Sequence, residues 1–96
     1  MSDNEIELPV YNCHKQVWAL KISGIELDSE RANTENRETD GGAYIKPEDS
    51  RYAEFKVDAD YVSRNTLVVG GYYVVYKDGY KSFSPADAFE DGYTLV

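Results

Sequence analysis

The sequence predicts an α+β fold: a small, mainly antiparallel sheet with a C-terminal β-hairpin and one or two short helices. Three observations predict it. Val68, Val69 and the run Tyr72 to Tyr76 are residue types that fit a pleated, half-buried surface. Asp78 and Gly79 follow, and Asp-Gly between apolar runs is the strongest short-range signal of a tight hairpin reversal. From Val17 to Ile22, and again from Phe55 to Val57, side chains alternate with the period of two that a strand requires. At 96 residues the chain forms a single domain, 1–96, large enough for one core with little surplus.

In chain order, residues 1–9 are acidic and lack periodicity, and Pro9 cannot donate to a ladder, so they read as a loose N-terminal lead-in. The strand from about His14 to Ile22 has Trp18, Leu20 and Ile22 as its expected core face. Residues 28–42 hold Ala32 as their only apolar side chain. Six acidic residues run from Glu26 to Asp40 against Arg31 and Arg37, with Gly41 and Gly42 closing the stretch. So little apolar surface cannot offset the entropy of ordering, so 28–42 is expected to be a mobile acidic loop, either a solvated, variable insertion or a lid or partner-contacting arm. Ala43 to Ile45 makes a short strand closed by Pro47. Tyr52 to Val57 is a half-exposed strand, with Phe55 and Val57 on one side. Asp58 is placed to cap a helix from Ala59 to about Asn65, with Tyr61 and Val62 turned to the sheet.

The hairpin is expected to use Asp78 and Gly79 as a two-residue type I′ loop. That register sets Val75 opposite Ser82 and Val74 opposite Phe83. One face then carries Tyr72, Val74, Tyr76 and Phe83, and the other carries Tyr73, Val75 and Tyr80. Ser84, Pro85 and Asp87 stand in N-cap, N1 and N3 order before a helix ending near Gly92, which is too short to persist without packing through Ala88 and Phe89. A last strand follows from Tyr93. Gly70 and Gly71 precede a strand rather than a helix, so they read as a bend and not as a phosphate cradle.

The formal charge is −8, from eighteen acidic and ten basic residues, with no cationic run; direct nucleic-acid binding is not expected. No apolar stretch approaches the length of a membrane span, so no membrane association is expected either. Cys13 is the only cysteine, which excludes an internal disulfide and points to a reducing compartment, the cytoplasm. His14 beside it would face the other side of a strand, a poor geometry for a nucleophile and its base. His and Cys are too few for a metal centre, and the acidic clusters lack the spacing of a calcium loop. The sequence therefore reads as non-catalytic, with no cofactor and no metal.

Two resemblances rest on these segments. "HKQVWALKI", residues 14–22, and "GGYYVVYKDGYKSFSPADAFEDGY", residues 70–93, cover about a third of the chain and resemble small phage and prophage proteins of unknown function. That resemblance implies a viral origin and a dispensable, host-facing role, and with a viral origin the compartment expected from the single cysteine is the host cytoplasm. Ser84, Asp87, Phe89, Asp91 and Tyr93 are similar in order and spacing to the end of the Thoeris anti-defence proteins, β-rich phage sponges for nucleotide signals. Residues 15–22 depart from that family, lacking its Trp-Asn-Gly-Lys pattern.

Three readings follow. The first is a host-defence antagonist that binds a small nucleotide-like signal. Tyr73 and Tyr80 would stack on a base, Arg51, Arg64, Lys77 or Lys81 would meet phosphates, and Trp18, Ser84 and Asp87 complete the candidate site. The second is an acidic nucleic-acid mimic that inhibits a basic host nuclease complex. The third is a virion or assembly component. A homo-oligomer formed by pairing of a free sheet edge fits any of them.

Overall fold

The computed structural model describes residues 9–12, 16–92 and 94–95. The lead-in 1–8, the Cys13 and His14 pair and Tyr93 lie outside the described residues. The elements are β1 (Val10–Asn12), β2 (Gln16–Leu27), α1 (Asp28–Glu35), β3 (Ala43–Pro47), β4 (Phe55–Val57), α2 (Ala59–Arg64), β5 (Tyr72–Tyr76), β6 (Lys81–Ser84), α3 (Ala86–Gly92) and β7 (Thr94–Leu95). All strand pairings are antiparallel, and the architecture is a small α+β fold.

The centre of the molecule is β2. Its first half pairs with β1 and β5 and its second half with β3, so the sheet runs β4-β3-β2-β1-β7, with β5 also paired to β2 and β6 paired to β5. A bulge between Ile22 and Gly24 lets one strand serve both halves. There the Ser23 hydroxyl reaches the carbonyls of Lys46 and Pro47 at 3.1 and 3.3 Å.

The expected core face of β2 is half of the truth. Leu20 and Ile22 are buried and Trp18 is half-buried, but Val17 and Ala19 on the opposite face are fully buried as well. Each face has its own cluster. Ile22, Ile45, Val57, Tyr61 and Tyr73 fill one side under α2. Val17, Ala19, Tyr72, Val74 and Phe89 fill the other under α3. The Phe89 ring stacks on Tyr72 with centroids 4.1 Å apart. Burying one such ring is worth roughly 1.5–3 kcal/mol, which holds a helix too short to persist alone. Ala88, its expected partner in that contact, is exposed.

The hairpin reverses where expected but by a different turn. The Gly79 amide donates to the Tyr76 carbonyl at 2.8 Å, and the Tyr76 amide donates to the Tyr80 carbonyl at 2.8 Å. Gly79 takes φ +92° while Asp78 stays at negative φ. Lys77, Asp78 and Gly79 thus form a three-residue loop, a turn closed by a left-handed glycine, rather than a two-residue type I′ loop. The register moves by one: Val75 faces Lys81 and Tyr73 faces Phe83. Because side chains alternate, that slip moves Phe83 to the face of Tyr73 and Val75, away from Tyr72 and Val74. Val68 and Val69 are not in the strand either. They are each 56% exposed in the turn that precedes it.

The expected loop at 28–42 is also corrected: its first eight residues are α1. The helix stops at Asn36, whose φ of 57° lets its amide reach the carbonyls of Ala32 and Asn33. The expectations for α2 hold. The Asp58 carboxylate accepts the Tyr61 amide at 2.9 Å, and Tyr61 is buried against the sheet. At α3 the cap shifts by one residue. The Pro85 carbonyl accepts the Phe89 amide, and the Ser84 hydroxyl donates to the Pro85 carbonyl instead of capping.

Candidate functional site

The eight residues singled out from sequence separate into distinct places. Arg64, Tyr73, Tyr80 and Lys81 converge beside a cleft of about 200 Å³ between α2 and the hairpin, whose lining adds Lys56 and Asp60. Arg51 lies in the β3–β4 connection with its side chain 77% exposed, and it pairs with Asp49 of the same loop at 2.7 Å. That guanidinium holds the Asp49 carboxyl down to about 2. Trp18 sits in β2 between Val10 and Val75. Ser84 and Asp87 stand at the far end of β6, by the start of α3.

Within the cleft Tyr61, Tyr73, Arg64 and Lys56 are already engaged, while Lys81 is exposed. Tyr73 is 9% exposed, packed edge-on against Phe55 at 4.7 Å, and burial pushes its phenol up. Tyr61 is pushed up by the same cause, and its hydroxyl donates to the Ser82 carbonyl at 2.7 Å. Arg64 pairs with Asp60 at 2.8 Å, donates to the Tyr80 hydroxyl at 2.8 Å and lies over the Tyr80 ring. A base could not stack on Tyr73 without displacing Phe55 or Tyr61.

The most concentrated electrostatics lie where the sequence promised a mobile loop. Asp28 is fully buried. Its oxygens accept from Arg37 at 2.9 and 3.2 Å, from the Thr39 hydroxyl at 2.8 Å and from the Asp40 amide at 3.2 Å. Lys56 lies 3.6 Å away and also pairs with Asp40. The Arg37 guanidinium, then Thr39, the Asp40 amide and Tyr44, hold the Asp28 carboxyl far below the usual carboxylate range and outweigh its desolvation. Beside it Arg31 lies over the Tyr44 ring at 3.6 Å and bridges Glu26 and Glu54 at 2.6 and 3.3 Å. A carboxylate with its lone pairs this fully occupied is a fastener that ties α1 and its following loop to β3 and β4. Nothing in the spacing of Asp28, Arg37 and Thr39 marked them beforehand.

A second feature passed over in the sequence is apolar. Val68, Val69, Gly71, Phe83, Pro85 and Ala86 line a groove of about 280 Å³ at the end of β6. Gly71 makes it possible, because a Cβ there would meet the Phe83 ring at 2.3 Å and the Ser84 carbonyl at 2.9 Å. The signal was present in the consecutive glycines after Val69, which mark a turn more strongly than the valines mark a strand.

Among the described residues no helix is long and apolar enough to cross a membrane. No family model matches the chain, and no curated protein matches it. Among solved structures the chain is similar to the monomeric form of the phage L decoration protein, determined in solution by NMR. The identity is 27% and the TM-score 0.64, over 97% of this chain and 63% of that one. The chain thus spans a little under two thirds of the length of that protein.

Proposed function

We propose that the protein is a phage virion component that attaches to the surface of an assembled capsid, a non-catalytic role whose partner is the coat-protein lattice. The observation that carries this is the similarity to the phage L decoration protein over nearly the whole chain. The resemblance of residues 14–22 and 70–93 to small phage proteins agrees with it. An accessory of this kind needs a rigid body and a contact face rather than a pocket, and in the cleft between α2 and the hairpin Arg64 and Lys56 are already held by Asp60 and Asp40.

The nucleotide-signal reading has less to draw on. Its stacking residue Tyr73 is buried, Arg64 is engaged by Asp60 and Tyr80, and Arg51, Ser84 and Asp87 do not line the cleft of Tyr73 and Lys81. The charge of −8 suits any basic protein surface and does not single out a nuclease.

The test is co-sedimentation. The purified chain is mixed with heads of phage L prepared without their own decoration protein, and with heads of the phage whose genome carries this sequence. Sedimentation of the chain with either supports the reading; a chain that stays at the top of the gradient with both overturns it.

A further inference from the structure

We infer that the protein docks by taking up an extended segment of the coat protein along the free edge of β6, an inference that rests on the capsid reading above. Among the described residues β6 pairs with β5 alone. The bond from the Tyr76 amide to the Tyr80 carbonyl fixes which residues exchange hydrogen bonds across the hairpin: Val74 with Ser82, then Tyr72 with Ser84. The N–H and C=O of Lys81 and of Phe83 therefore point away from β5, and no described strand receives them. A free row of donors and acceptors is a template for another strand.

The flanks of this edge specify what fits. At its C-terminal end lies the apolar groove of Val68, Val69, Phe83 and Pro85, with both valines 56% exposed. Asp87, exposed in the first turn of α3, stands just past that groove and has no ion pair among the described residues. At the other end Lys81 is exposed and also has no ion pair among the described residues. An occupant of about four extended residues matches the strand. It would seat an apolar side chain in the groove, with a carboxylate toward Lys81 and a cation toward Asp87. The edge of β4 offers no such match: Lys56 is bound by Asp40 and Glu54 by Arg31. A second copy of the chain fits less well, since each carries −8.

Two substitutions test this on the head-binding assay. Lys81→Pro removes an outward N–H while leaving the bonds to β5 in place, and Val69→Glu sets a charge in the groove from an exposed position. Each is expected to weaken binding to heads at least tenfold, with an unchanged circular dichroism spectrum and Tm. Folded variants that bind as tightly as the unsubstituted chain overturn the inference and leave the capsid reading standing. An unsubstituted chain that binds no heads ends both. A concentration-dependent dimer in solution that Lys81→Pro abolishes reassigns the edge to a second copy and overturns the inference too.

Discussion

The segment 28–42 and the hairpin 72–84 are held in place by opposite means. The hairpin carries tyrosines, valines and Phe83, and it is fixed by rings packing on both faces of the sheet. The segment 28–42 has one apolar side chain to bury, Ala32, and it is fixed around a single carboxylate whose donors come from its own chain and from β4. Low apolar content implies disorder only when no polar group can be both buried and fully satisfied. Asp28 shows the exception, because Arg37, Thr39 and the Asp40 amide together replace the water it gives up.

That contrast can be broken most severely at Asp28. Asp28→Ala leaves the Arg37 guanidinium and the Thr39 hydroxyl without their partner, and removal of one member of a buried ion pair is among the costliest single changes. Tm is expected to fall by about 10 °C or more in calorimetry. Hydrogen exchange should locate the loss in 28–42, with β5 and β6 still protected.

On the hairpin side the corresponding change is Gly71→Ala. Its Cβ would collide with the Phe83 ring and with the Ser84 carbonyl, which as backbone cannot swing aside. Overpacking of this kind costs roughly 1–3 kcal/mol, measurable by urea denaturation. An unchanged midpoint would mean that Phe83 does not lie over that glycine. Asp58→Ala removes the α2 cap and is expected to cost about 1 kcal/mol by the same measurement. Gly79→Ala tests the turn itself. The position has open space around it but φ +92°, so the penalty is about 1 kcal/mol of backbone strain and not of contact.

Acid sharpens the comparison without mutation. The folded-state carboxyl of Asp28 titrates well below its ordinary 3.8, and that of Asp49 at about 2, with Asp40 and Glu90 also lowered by Lys56 and Lys21. Groups whose folded pKa is depressed contribute stability that is present above the unfolded value. That stability is lost as pH falls below it, so Tm should be flat above about pH 5 and decline below about pH 4. Asp28→Ala should flatten much of that decline. Tyrosine fluorescence of the hairpin should report the acid transition after the amide exchange of 28–42 does.

The class of fold, the Asp58 cap and the place of the reversal at Gly79 were legible before folding, because each is written in neighbouring residues. A cap needs a side-chain oxygen three residues from an amide, and a left-handed turn needs glycine. The sequence also marked Leu20, Ile22 and Phe89 as core. The register of the hairpin, the burial of both faces of β2, the order of residues 28–42 and the separation of Arg51, Ser84 and Asp87 from the cleft were decided only by tertiary structure. Each depends on which distant backbone lies alongside. Whether Gly79 closes a two- or three-residue loop turns on the match of Tyr73 to Phe83 over Gly71. Whether Asp28 is a solvated acid or a buried fastener turns on β4 delivering Lys56 beside it, and on the loop folding back to bring Arg37 and Thr39 within reach.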